Sequence, residues 1–338
     1  MKKSLIALAV LAASGAAMAQ SSVTMYGVVD LGVAKLDGVS TQMSGSSTMN
    51  NGNSRLGVRG VEDLGGGLKA SFNLEQGINA ETGGSASRGS NVAGVARNEG
   101  NNWARAAYAE LSGNFGAVRL GRSLNPSYYG MAAWELTGAA NYSAVASQFG
   151  FVGDDDGRND SQFMYTTPKF GGLSASVAMV LKPDTGVKLV SNNEQKAKYD
   201  LNVVYANGPI AAGFSYNKVA SHKANLSLGG SYDLGMVKIA ASYQDGYRGL
   251  ISSSMPSATI DAAKYRGFSL GATVPVGAFS VTLDIARDTE AKDTNVLLEG
   301  KYALSKRTFA YAAYLRDGKD DFGAKNQNNF GVGIRHNF

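Results

Sequence analysis

The sequence predicts an all-β fold, a 16-stranded antiparallel transmembrane β-barrel whose apolar side faces outward. Three observations predict it. The first is alternation. Over residues 330–338, Phe330, Val332, Ile334, His336 and Phe338 fall on one face, and Gly331, Gly333, Arg335 and Asn337 on the other. A strand sends successive side chains to opposite sides. The same pattern recurs along most of the chain, with too little wholly apolar sequence to fill the interior of a 338-residue globule. The second is length: the alternating segments run to roughly ten residues, what a tilted strand needs to cross a bilayer. The third is the rhythm of the connections, in which short turns rich in Gly, Pro, Asn and Asp take turns with long polar stretches.

The chain opens with a segment outside the barrel. Lys2 and Lys3 precede an apolar run over residues 5–13, and Ala17-Met18-Ala19 supplies small residues for cleavage. That three-part pattern is a secretory signal peptide, too short to span a bilayer. Residues 1–19 are therefore read as the leader and 20–338 as the barrel. The exported chain has no cysteine. A long hydrogen-bonded ladder, rather than the disulfides of small secreted scaffolds, must then stabilise it. Strands are expected near 22–34, 53–62, 68–78, 102–112, 117–124, 158–167, 173–182, 198–206, 210–219, 225–233, 236–246, 264–274, 279–288, 294–302, 308–316 and 328–338. In a clear example Leu226, Leu228, Gly230 and Tyr232 alternate with Asn225, Ser227, Gly229 and Ser231. Asn207-Gly208-Pro209 and Asp233-Leu234-Gly235 make tight turns, while residues 79–102, 125–157 and 248–261 form long polar connections. An even strand number leaves both termini on the side of the short turns.

Aromatics end the outward faces. Tyr205, Tyr232, Phe279, Tyr302, Phe309 and Phe338 lie near the short turns, and Tyr216, Tyr243 and Phe268 nearer the long loops. Two such belts suit the headgroup levels of a membrane. A β-sandwich would need a packed inner face, and these inner faces are Ser, Gly, Asn, Thr and Lys.

Other classes are poorly served. A formal charge of +5 is too mild for a nucleic-acid-binding domain. The histidines are His222, on a loop, and His336, on the outward phase of the last strand; neither sits in a pattern that suggests a Ser-His-Asp site or a zinc cluster. Asp154-Asp155-Asp156 invites a calcium reading, but Gly157 comes too early for an EF-hand loop. No metal and no cofactor are expected, and no enzyme activity.

Several segments carry a resemblance. Ser21-Ser22-Val23-Thr24-Met25-Tyr26-Gly27-Val28-Val29-Asp30, Ser54-Arg55-Leu56-Gly57-Val58-Arg59-Gly60-Val61-Glu62-Asp63-Leu64-Gly65-Gly66-Gly67-Leu68-Lys69-Ala70, Leu111-Ser112-Gly113-Asn114-Phe115-Gly116, Leu120-Gly121-Arg122, Leu304-Ser305-Lys306-Arg307-Thr308 and Gly333-Ile334-Arg335-His336-Asn337-Phe338 together resemble the trimeric Gram-negative general-diffusion porins. The resemblance implies a homotrimer in the outer membrane, in contact with its lipid and lipopolysaccharide. It also implies a third loop folded into the lumen, passive diffusion of small hydrophilic solutes and ions, and a terminal Phe338 read by the barrel-assembly machinery through the last strand.

A diffusion pore does no bond chemistry; its narrowest point sets size and charge preference. The longest stretch without strand pattern, residues 125–157, is the expected constricting loop, with Tyr128, Tyr129, Trp134, Tyr142 and Phe149 for body and Glu135 as its fixed acid. A basic wall is expected opposite. Leu56 and Val58 read outward, so Arg55 and Arg59 read inward. Arg55, Arg105 and Arg122 resemble the family's pore arginines, and Arg158 opens the next strand. The expected constriction is thus Arg55, Arg105, Arg122, Glu135 and Arg158. Asp30, Arg59, Lys69 and Glu75 are secondary lumen charges, of which the acids offset part of the field. Guanidinium is charged at any working pH, so the wall favours anions weakly. A substrate-specific channel stays open as an alternative, and, further off, an outer-membrane hydrolase or adhesin.

Overall fold

The computed structural model describes residues 22–86, 102–152, 157–181, 197–220, 223–248, 263–318 and 326–338. The leader, the Asp154–156 run and His222 lie outside the described residues.

Sixteen long strands form one closed antiparallel sheet: β1 Ser22–Lys35, β2 Arg55–Gly65, β3 Leu68–Ile78, β4 Ala106–Gly113, β5 Gly116–Leu124, β6 Arg158–Thr166, β7 Leu173–Val180, β8 Lys198–Asn207, β9 Ile210–Val219, β10 Ala224–Asp233, β11 Lys238–Arg248, β12 Ala263–Val276, β13 Phe279–Asp288, β14 Asp293–Ala303, β15 Thr308–Asp317 and β16 Gln327–Asn337. Each pairs with its sequence neighbour, and β16 closes the ring on β1 in a register running from Val28↔Asn337 to Lys35↔Phe330. Phe338 prolongs that seam, donating its N–H to Gly27 O at 3.0 Å and accepting from Gly27 N at 3.1 Å. Closure leaves no unpaired strand edge, which is the condition for a sheet to cross hydrocarbon. Two short strands decorate the rim, Gln42–Ser44 beside β1 and Ser85–Ala86 beside β3. The strands lie within a few residues of their sequence-read limits; β4 starts at Ala106 because residues 102–105 turn.

The sheet's polarity is the reverse of a water-soluble protein's. On β10, Leu228 is 57% exposed while Asn225 and Ser227 are buried. On β12, Leu270 is 64% exposed while Ser269 is buried. Fully burying such a side chain is worth about 1.5–3 kcal/mol. Dozens of them facing outward require a lipid solvent.

One expected outward residue turns inward. Phe309 shares the face of Tyr311 and Leu315, which are buried, and its ring lies 5.8 Å from Lys301 Nζ and 5.9 Å from the Arg335 guanidinium carbon. Residues 309–315 are apolar on both faces, so alternation alone does not say which face looks out.

Candidate functional site

The loop between β5 and β6 folds into the barrel. Pro126 starts a helix, α1 (Pro126–Ala132), capped by the Asn125 side chain, which accepts from Tyr128 N at 2.8 Å. Ser143 caps a second helix, α2 (Ala144–Phe149), through Ala146 N at 3.2 Å. Both caps satisfy amides that a helix start leaves orphaned. The inner wall then grips the loop along its length. Ser127 donates from N and Oγ to Asp200 Oδ1 at 2.9 and 2.8 Å. Asn202 Nδ2 donates to Pro126 O at 2.8 Å, and Asn217 Nδ2 to Val152 O at 2.8 Å. Farther round, Lys301 Nζ donates to Thr137 O at 3.1 Å and Ser147 Oγ to Asp317 Oδ1 at 2.9 Å. Trp134 is buried against β10, where a Cβ on Gly229 would stand 2.2 Å from Trp134 Cε2; the bare glycine makes room for the indole.

Glu135 turns its carboxylate back on the loop that carries it. It is buried, and both carboxylate oxygens serve the loop itself: Oε1 accepts from Thr137 Oγ1 at 2.7 Å and Ser143 Oγ at 2.8 Å, Oε2 from Thr137 N at 2.9 Å and Ala139 N at 2.7 Å. The acid among the arginines is Glu75. Its Oε1 lies 2.7 Å from Arg105 Nε and its Oε2 3.5 Å from Arg55 Nε, and Tyr26 Oη donates to Oε2 at 2.8 Å. Arg158 Nε donates to the carbonyl of Arg105 at 3.0 Å. Arg55, Arg105 and Arg158 all act on the hydroxyl of Tyr128, carried by α1. Burial lifts that hydroxyl above the ordinary tyrosine range, against the pull of the arginines, so it stays neutral. The structure thus brings together Arg55, Arg105, Arg158 and Glu75 facing Tyr128.

Arg122 is placed by a bulge. The β5–β6 register shifts between Gly121 and Ser123, and Gly121 has φ +120, a conformation that L side chains rarely adopt. A bulge re-aims the side chain beside it. Here Arg122 Nη1 lies 2.6 Å from Asp160 Oδ1, and its Nε donates to the carbonyl of Ala104.

The secondary charges separate. Asp30 points inward but is fully buried, accepting from Asn50 Nδ2 at 3.0 Å, Gly52 N at 2.9 Å and Tyr311 Oη at 2.6 Å. It anchors the first loop. Arg59 lies 5.0 Å from the Tyr26 ring centroid, and Lys69 is exposed beside Ser112 at the short-turn end. Sequence reasoning missed Arg119, although its inward phase was visible. It pairs with Glu110 at 2.6 Å, stacks 4.1 Å over Tyr108 and donates to Tyr129 Oη at 3.3 Å. It also missed Arg335, a like charge acting on Arg55.

A closed barrel, greasy outside and polar within, with a loop folded against arginines, defines an outer-membrane diffusion channel. The chain belongs to the Gram-negative porin family, whose model matches residues 5–322. It is 36% identical to outer membrane porin protein 32 of Delftia acidovorans over 94% of this chain and 90% of that protein. To an outer membrane porin protein of Bordetella pertussis it is 30% identical over the whole of both. Among solved structures it matches the anion-selective porin from Comamonas acidovorans with a TM-score of 0.72 and 28% identity, over 94% of this chain and all of the other. The chain is a multi-pass outer-membrane channel.

Proposed function

We propose that the channel passes small hydrophilic solutes and ions by passive diffusion with a slight preference for anions, and that Arg55, Arg105 and Arg158 against Tyr128 form the selecting constriction. One observation carries this reading: arginines from three strand regions converge on the inward loop, with Glu75 between two of them. The matched Comamonas porin is described as anion-selective, which supports the sign. Reversal potentials in a KCl gradient across planar bilayers test it. Replacing Arg55, Arg105, Arg122 or Arg158 singly by Gln should lower the chloride preference. A preference unmoved by any of them would refute the assignment. Glu135 belongs to the constriction by shaping the loop, and Arg59 and Lys69 extend a weaker positive field toward the short turns.

The working form is a homotrimer seated in outer-membrane lipid and lipopolysaccharide. Supporting it, the outward faces of β1 to β5 carry mostly Val, Met, Leu, Gly and Ala, with Phe72 as their aromatic, a surface suited to a flat neighbour. Crosslinking that returned only monomers from native membranes would exclude it. Residues 1–19 leave on export, so the first residue of the mature chain should read Gln20 on N-terminal sequencing.

A further inference from the structure

We propose that Arg335 is a further selectivity residue of the pore and that the first loop, through Asn51, positions it; this rests on the anion-preferring reading above. Arg335 stands on the inward face of β16, opposite Asp30 on β1 and Phe309 on β15. Its Nη1 donates to Asn51 Oδ1 at 2.7 Å and its Nε reaches Asn337 Oδ1 at 3.3 Å. Both acceptors are neutral amides. The other wall arginines named above mostly meet carboxylates within 4 Å: Glu75 for Arg55 and Arg105, Glu110 for Arg119, Asp160 for Arg122. Arg335 has no such ion pair among the described residues. Asp30, opposite it on β1, offsets part of its charge but spends its oxygens on Asn50, Gly52 and Tyr311. A guanidinium whose own hydrogen bonds go to neutral amides is not bound to a carboxylate, and its field reaches Arg55.

Asn51 is nearly buried, and its other end is committed too: Nδ2 donates to Tyr142 Oη at 2.7 Å. One amide therefore ties the last strand to the constricting loop by way of the first loop. A second tie runs beside it, from Asn141 Nδ2 to Asn53 Oδ1 at 2.8 Å. Asn51 is a positioning residue: it fixes where the Arg335 charge sits relative to the aperture.

The test is reversal potential of the full-length protein in planar bilayers, measured at 0.1 M and 1 M KCl. A unit charge about 10 Å from the permeating ion shifts anion and cation in opposite senses, about fourfold in their permeability ratio in unscreened water, and screening at 0.1 M, with a Debye length of about 10 Å, brings that to roughly twofold. Arg335→Gln should lower the ratio by about that factor at 0.1 M, and by less at 1 M, where the screening length shrinks to about 3 Å. Arg335→Lys should restore most of it. Asn51→Ala should lower the ratio part of the way and add open-channel noise. If Arg335→Gln leaves the ratio unchanged while Arg55→Gln moves it, the inference fails and the constriction reading stands. If neither moves it, both fail. A shift with Arg335→Gln but none with Asn51→Ala overturns the positioning role.

Discussion

At the residue scale, Glu75 and Glu135 show how two carboxylates of one barrel come to do different work. Glu75 sits between Arg55 and Arg105 and subtracts from the field that anions feel. Glu75→Gln should raise the chloride preference, by roughly twofold at 0.1 M salt for one screened charge at about 10 Å. A fall in reversal potential toward cation preference would contradict that role. Glu135 holds loop backbone, including the amide of Ala139, whose φ of +56 lies in the left-handed region. Such a residue costs about 1–3 kcal/mol unless its surroundings over-determine it, and the charge-assisted bonds to Glu135 supply that. Glu135→Gln should loosen the loop by about 1–3 kcal/mol, seen as added open-channel noise with the barrel still resistant to detergent. Tyr142 illustrates a third use. Burial lifts its hydroxyl well above the ordinary tyrosine range, so the bond from Asn51 is unchanged by pH across the physiological span. Above about pH 10, where an unfolded tyrosine ionises and the buried one does not, the folded state binds the extra proton and stability falls as pH rises.

At the scale of elements, the strands were legible and the loops only partly so. Alternation and turn residues located every barrel strand because a half-apolar strand has period two whatever its tilt. Phase failed where both faces are apolar, as at Phe309, and a bulge resets it between Gly121 and Ser123. The inward loop was recognisable by length, but no local pattern told where Glu135 would point, because its partners Thr137, Ala139 and Ser143 are set by the loop's own turn. Arg335 lay on a face already read as inward, yet its membership in the wall depends on β16 closing against β1, a contact between the two ends of the chain. Two predictions follow from element packing. Gly229→Val would drive a side chain into Trp134 and lift the loop from β10, and single-channel conductance should change with the barrel intact; an unaltered conductance would show that the loop seats elsewhere. Deleting Phe338 should sharply reduce assembled protein in outer-membrane fractions, if the terminal aromatic is what the assembly machinery reads. Normal assembly of the truncated chain would refute that.

At the scale of the molecule, the energetics follow from solvent on both sides of one sheet. Backbone groups are satisfied by closure, apolar side chains face lipid, and polar ones face water or the inward loop. A cation placed on the lipid face near the midplane costs about 2–4 kcal/mol. Leu228→Arg should lower the free energy of folding into bilayers by that amount, whereas Lys69→Arg, in the lumen, should leave it unchanged. The chain has no cysteine, so single cysteines report their surroundings without background. The most direct measurement is the labelling of Arg59→Cys and Lys69→Cys against Leu228→Cys and Leu270→Cys in protein reconstituted into bilayers, using a charged, membrane-impermeant thiol reagent. A water-filled lumen inside a lipid-facing barrel predicts rapid reaction at the first pair and protection at the second. Protection of residues 59 and 69 with free reaction at 228 and 270 would contradict it.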